Sequence, residues 1–279
     1  MSNHIESPVP NPEFRISNSQ FPVDYSTHLT NHLINYLLHL ADDHLILSHR
    51  LSEWCGHGPV LEQDIAVTNI ALDILGQSRN FYQYAAQLSG GDTTENSLAY
   101  LRDVRSYKNS LLAEQPNGDW AVTVLRQFFY SSFRLLYYKE LIKSSDAQLA
   151  AIAEKAIKEV AYHVKWSSEW VIRLGDGTDE SNERINQAYE LLCSFTGELF
   201  LPADYETAMA EAGIGVHVSM LKTEWVKQVT DVFEEATIPV LSFDGWMQQG
   251  GKNGMHTEYL GYILADLQYL QRAYPGSEW

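Results

Sequence analysis

The sequence predicts an all-α protein, an antiparallel helical bundle with additional C-terminal helices. Three observations carry this. Apolar residues recur at three- and four-residue spacing through long stretches. No stretch sustains the two-residue alternation of a strand. Short signals built on Gly, Pro, Asn and Asp separate the stretches, and long helices joined by short connections pack side by side.

Ser26 or Thr27 caps the first helix. Leu29, Leu33, Leu37, Leu40, His44, Leu47 and Leu51 then form one stripe, interrupted only by His44, and the run reaches Trp54. The "CGHGP" stretch stops it. A second helix spans about Glu62 to Leu88 and ends at "SGGD". A third covers about Thr94 to Glu114, closed by "QPNGD". Asp119 caps a fourth, from Trp120 to about Lys143. After "SSD" a fifth runs from Ala147 to Leu174, and a sixth from Ser181 to about Phe195. Shorter helices follow near Asp204 to Ala212 and Ser219 to Glu235. A glycine-rich loop precedes a last helix, Thr257 to Tyr274, with Thr257 as its cap. Residues 1–24 carry four prolines among Asn and Ser and predict an extended or disordered arm, which leaves 25–279 as one helical domain.

Composition narrows the function. The chain has 279 residues, and its 36 Asp and Glu against 19 Lys and Arg give a net charge of −17. So acidic a surface argues against a nucleic-acid partner. No apolar run is long enough to span a membrane, and no signal peptide is present. Cys55 and Cys193 are too few for a disulfide framework. A reducing, cytoplasmic setting is expected.

Ferritin-like di-metal bundles take one carboxylate from each of two helices and Glu-x-x-His from each of the other two. Asp43 lies mid-helix in "LADDHLIL", and Asp73 follows in the next helix, with Gly76 where a histidine is required. Glycine ligates nothing and costs roughly 0.5–1 kcal/mol in a helix interior, which suggests close helix approach. The fifth helix offers Glu159, with Tyr162 three and His163 four residues on. The middle of the fourth helix, where a carboxylate is required, offers Gln127, Tyr130 and Arg134. Buried carboxylates need partners, and Arg126, Arg134 and His163 are available. The expectation is a bundle with the frame of a metal site, its cations replaced by basic side chains. On that view Asp73, if fully buried, anchors a pair whose loss costs roughly 3–5 kcal/mol.

Longer blocks then carry a resemblance. "LSHRLSEWCGHGPVLEQDIAVTNIALDILGQSRNFYQYAAQL", "EQPNGDW", "QLAAIAEKAIKEVAYHVKWSSEWVIRLGDGT" and "GGKNGMHTEYLGYILADLQYLQRAYPG" resemble the C-subunit family of bacterial phenylacetyl-CoA epoxidases, ring 1,2-epoxidases of phenylacetate degradation. The likeness runs from about Tyr25 to Trp279. It implies a ferritin-like fold and a non-catalytic structural subunit with no metal or cofactor of its own. It also implies a partner subunit holding the di-iron centre, and further subunits of the same complex. The alternative is an autonomous di-metal carboxylate oxygenase with an atypical ligand set. A CoA-binding module without catalysis is a third reading, compatible with the first. A homodimer stays open.

Two features remain. "RDVRSYKN" is the densest basic segment, and on a continuous third helix Arg102, Arg105 and Lys108 share one face. Arg105, Ser106, Tyr107, Lys108 and Asn109 are therefore the candidate contact for a CoA ester, whose phosphates suit basic side chains. Phe128, Phe129, Tyr130, Phe133, Tyr137, Tyr138, Trp166 and Trp170 occupy more than one helix face, which predicts deep burial or a partner.

Overall fold

The computed structural model describes residues 27–240, 243 and 245–277, so the arm predicted over 1–24 lies outside the described residues. Among the described residues there are ten α-helices and no strand. Two long hairpins make the bundle: α1 (Thr27–Ser52) with α2 (Leu61–Ser89), and α5 (Trp120–Leu141) with α6 (Ala147–Gly175).

Side-chain pairings between the hairpins fix their direction. Along α1, Tyr36 meets Tyr137 and Asp43 meets Arg134, and Trp54 just beyond meets Thr123. Between α2 and α6, Gln63 meets Trp166, Asp73 meets His163 and Gln77 meets Glu159. In both sets numbers rise on one helix as they fall on the other, so facing helices are antiparallel. This is the ferritin-like bundle expected.

Caps set the second hairpin. Asp119 accepts from the Val122 amide at 3.1 Å, and Asp146 from those of Gln148 and Leu149, which satisfies donors with no partner inside the helix. Asp146 also takes the Tyr84 hydroxyl at 2.6 Å, tying the end of α2 to the start of α6. Gly175 closes α6 because a Cβ there would stand 2.1 Å from the Ala236 carbonyl oxygen.

Eighteen of the 22 residues of α5 are buried, which makes it the central helix. One face meets the bundle; α7 (Asp179–Leu192) and α9 (Lys222–Glu235) cover the other. Phe129 meets the rings of Tyr189, Trp225 and Phe233, and its carbonyl accepts from the Trp225 indole at 3.1 Å. The aromatic excess on α5 is thus satisfied within the chain and needs no partner. At the other end of α5, Trp120 stands edge-on to Trp54, Trp166 and Trp170 at 5.2–5.9 Å.

The predicted third helix is not continuous. The chain forms α3 (Glu95–Tyr100), a single turn at Val104–Ser106, an extended stretch, and α4 (Leu111–Glu114). The backbone amides a helix would use are taken by distant carboxylates: Lys108 donates to Asp42 at 2.8 Å, Ser110 to Asp43 at 2.6 Å and Leu111 to Glu198 at 2.8 Å. These charge-assisted bonds outweigh the local helical pattern.

After α8 (Asp204–Glu211) and α9, α10 (Glu258–Ala273) packs against the α3 region. Thr257 sits at its N-cap, but its side chain makes no cap bond; its amide donates to Glu114 at 2.6 Å.

Candidate functional site

Asp43 is fully buried in mid-α1. One carboxylate oxygen accepts from the Ser110 amide and hydroxyl, at 2.6 and 2.9 Å. The other pairs with the Arg134 guanidinium from α5. Burial alone would push the Asp43 carboxyl up, but the charges of His39 and Arg134 and the Ser110 bonds hold it below the usual carboxylate range. Arg134 lies among the rings of Tyr130, Phe133 and Tyr137 at 5.0–5.4 Å, a setting that stabilises a cation. Burial opposes its charge, yet Tyr130 and Asp43 raise its pKa above the ordinary arginine value.

Arg134 is thus the counter-charge the sequence anticipated. Arg126 is not. It donates to the Gln115 carbonyl and the Asn117 side chain and has no carboxylate in contact, so burial pushes it down to about 9. Gln127 and Tyr130 are also buried on α5; the Tyr130 ring lies against Arg134, and the Gln127 amide donates to Ser131 at 2.7 Å.

Asp73, Glu159 and His163 do come together, as rungs between α2 and α6. His163 Nε2 stands 3.0 Å from Asp73, and one turn away Gln77 donates to Glu159 at 2.9 Å. The Asp73 side chain is 37% exposed, so the cost expected for a fully buried pair does not apply to it. That condition is met by Asp43 and Arg134. Gly76 lies on the outer face, with nothing within 4 Å of a Cβ built there, so the close helix approach does not occur within the chain.

A second polar path links all four bundle helices. The His44 imidazole is driven down to about 3, first by burial and then by the charge of Arg134, so it is neutral. Its Nδ1 donates to the Leu40 carbonyl at 2.5 Å, which leaves Nε2 to accept from the Tyr138 hydroxyl at 2.8 Å. That hydroxyl also lies 3.0 Å from the Gln77 side-chain oxygen, and Gln77 leads on to Glu159. The path takes His44 from α1, Tyr138 from α5, Gln77 from α2 and Glu159 from α6. On α2 the ligand spacing of three points to Gly76 and passes over Gln77, while His44 and Tyr138 read as packing. The usable signal was a spacing of four: Asp73 to Gln77 matches Glu159 to His163.

This donor set does not fit a di-metal centre. A guanidinium occupies the core beside Asp43, whose two oxygens are both engaged, and its fixed positive charge repels a cation. Among the described residues no three His, Cys, Asp or Glu side chains converge on one point.

Further buried carboxylates fasten the segment around residues 101–118. Asp42 takes Arg102, the Tyr82 hydroxyl and the Lys108 amide. Arg102 therefore points inward, not along a basic helix face. Tyr107 and Asn109 are fully buried, which removes them from a surface contact. Arg105 and Ser106 are exposed, and the half-buried Lys108 lays its ammonium 5.2 Å over the Tyr205 ring. Glu114 holds both the Thr257 amide and His256, whose pKa burial would lower but the Glu114 hydrogen bond and charge raise.

Comparison with known proteins agrees with this architecture. The family model described as phenylacetic acid catabolic protein matches residues 22–279. A relative from Escherichia coli (strain K12), the C subunit of 1,2-phenylacetyl-CoA epoxidase, is 48% identical over 250 residues, covering 89% of this chain and 100% of the relative. With a matching helical bundle and a match over nearly its whole length, the chain belongs to the phenylacetic acid catabolic protein family.

Proposed function

We propose that this chain is a non-catalytic structural subunit of a multicomponent phenylacetyl-CoA 1,2-epoxidase, stabilising a separate subunit that carries the di-iron centre. The observation that carries this reading is the Asp43–Arg134 pair, which puts a fixed positive charge in the core where a metal-binding bundle gathers its ligands. The chain keeps the frame of an oxygenase and uses its polar interior to hold itself together. Its partners are the di-iron subunit and the other subunits of the complex, in the cytoplasm. No helix of the described residues is long and apolar enough to cross a membrane.

Metal analysis of the purified chain, alone and with its catalytic partner, tests this. Iron is expected to follow the partner, and ring epoxidation of phenylacetyl-CoA to require both chains. Two iron atoms on the isolated chain, lost in Asp73→Ala, would establish the autonomous oxygenase instead.

Within this reading Arg105, Ser106 and Lys108 form the surface through which the chain meets the CoA ester. Burial lowers the pKa of Lys108, so it approaches a phosphate incompletely hydrated. Lys108→Glu is expected to weaken CoA-ester binding to the complex about tenfold, roughly 1.4 kcal/mol, with Arg105→Glu acting in the same direction. Affinity unchanged in low salt, where such charges act most strongly, removes the contact.

A further inference from the structure

His28 and His32 stand four residues apart in the first two turns of α1, which puts both side chains on one face of the helix. His28 is exposed and His32 half-buried. Their Nε2 atoms face each other at 3.3 Å, with ring centroids 4.4 Å apart and planes inclined at 68°. Only one of the two facing nitrogens can carry a hydrogen, so the other turns its lone pair toward its neighbour. The distance also suits a metal ion. Zinc holds imidazole nitrogens at about 2.0–2.1 Å, and two such bonds at a tetrahedral angle of about 109° set the nitrogens about 3.3–3.4 Å apart. The right angle of a tetragonal or octahedral ion gives about 2.8–3.0 Å. The pair is therefore spaced for a tetrahedral ion before any ion arrives.

We propose that His28 and His32 form a surface zinc site at the start of α1, with the two Nε2 atoms as ligands. Among the described residues no third His, Cys, Asp or Glu side chain joins the pair, so water fills the remaining positions. Imidazole favours ions such as zinc over magnesium and calcium, which take oxygen. The dipole of α1 disfavours a cation near its N-terminus, but that effect is weak and screened by salt. The chain's net charge of −17 acts the other way. A bound ion ties the first turn of α1 to the second and holds the helix end against fraying. The site lies apart from the frame around Asp43, which follows His32 by eleven residues, about 16 Å along the helix. It stands whether or not the chain is a structural subunit.

Isothermal titration calorimetry of the full, metal-free chain with zinc chloride tests this, with magnesium chloride as the control. One zinc ion per chain is expected to bind at the pair, and magnesium is expected not to bind there. His28→Ala and His32→Ala are each expected to weaken zinc binding at least tenfold, since one imidazole is left, while the metal-free variants melt like the wild type. Asp73→Ala, and His57→Ala in the exposed loop after α1, are expected to keep the zinc affinity. A wild type that binds no zinc overturns the proposal, as do histidine pair variants that bind it like the wild type. Zinc lost in Asp73→Ala would belong to the bundle core, and zinc lost in His57→Ala to the loop; either result also overturns it.

Discussion

Arg134→Ala is expected to lower unfolding stability by roughly 3–5 kcal/mol, the cost of leaving a buried charge without its partner. Both side chains of the Asp43–Arg134 pair are about 1% exposed, so water cannot replace the guanidinium. For a domain of this size the change corresponds to a fall in melting temperature of about 6–20 °C. Arg134→Met combined with Asp43→Asn is expected to recover most of the loss. The amide can still accept from Ser110, and no unpaired charge remains. Denaturant unfolding of Arg134→Met, Asp43→Asn and the double variant closes the cycle. A loss below about 1 kcal/mol for Arg134→Ala, the value of an exposed pair, would show that the charge is not held as described.

Acid is expected to destabilise the chain from about pH 6.5 downward, and His44 is the first cause. Its folded pKa, about 3, lies below the ordinary 6.5. The unfolded chain therefore takes up a proton that the folded chain refuses. Stability is complete above pH 6.5 and falls by about 1.4 kcal/mol per pH unit toward pH 3, a total of roughly 3–6 kcal/mol. Asp43 and Glu206, a buried α8 carboxylate paired with Lys252 at 2.9 Å, add to the loss only lower. Their folded pKa values are depressed below the ordinary 3.8 and 4.5, so their contributions are present above those values and vanish as pH falls through the folded ones. Urea unfolding from pH 7 to pH 4 checks this against His44→Gln. The variant is expected to be less stable at pH 7 but flatter with pH. An unchanged slope would mean that His44 is charged in the fold.

The two long hairpins are legible because each helix carries an apolar stripe and ends at a turn signal rich in Gly, Ser or Asp. The segment from Glu95 to Glu114 is not, because its conformation is set by Asp42, Asp43 and Glu198, which lie far away in the chain. No local pattern reports such bonds. Asp43 and His163, two of the candidate inward-facing residues, are buried, and Arg134 is the counter-charge; Glu159 and Asp73 are only partly buried. Gln77, His44 and Tyr138 were missed. A glutamine after a glycine, a histidine in a leucine stripe and a tyrosine among aromatics each look like packing until the four helices are brought together. By residue type Gly76 suggests close helix approach; in the structure nothing lies within 4 Å of a Cβ built there.

The Asp43–Arg134 contact, which joins residues 91 apart, also bears on how the two hairpins find each other during folding. Each hairpin is local in sequence and can collapse early, but apolar stripes alone allow α5 to dock on α1 in several registers. A slip of one turn would place Tyr130 or Tyr138 opposite Asp43 and bury both charges unpaired. Only one alignment pairs both charges, so the ion pair specifies the register in which the hairpins dock.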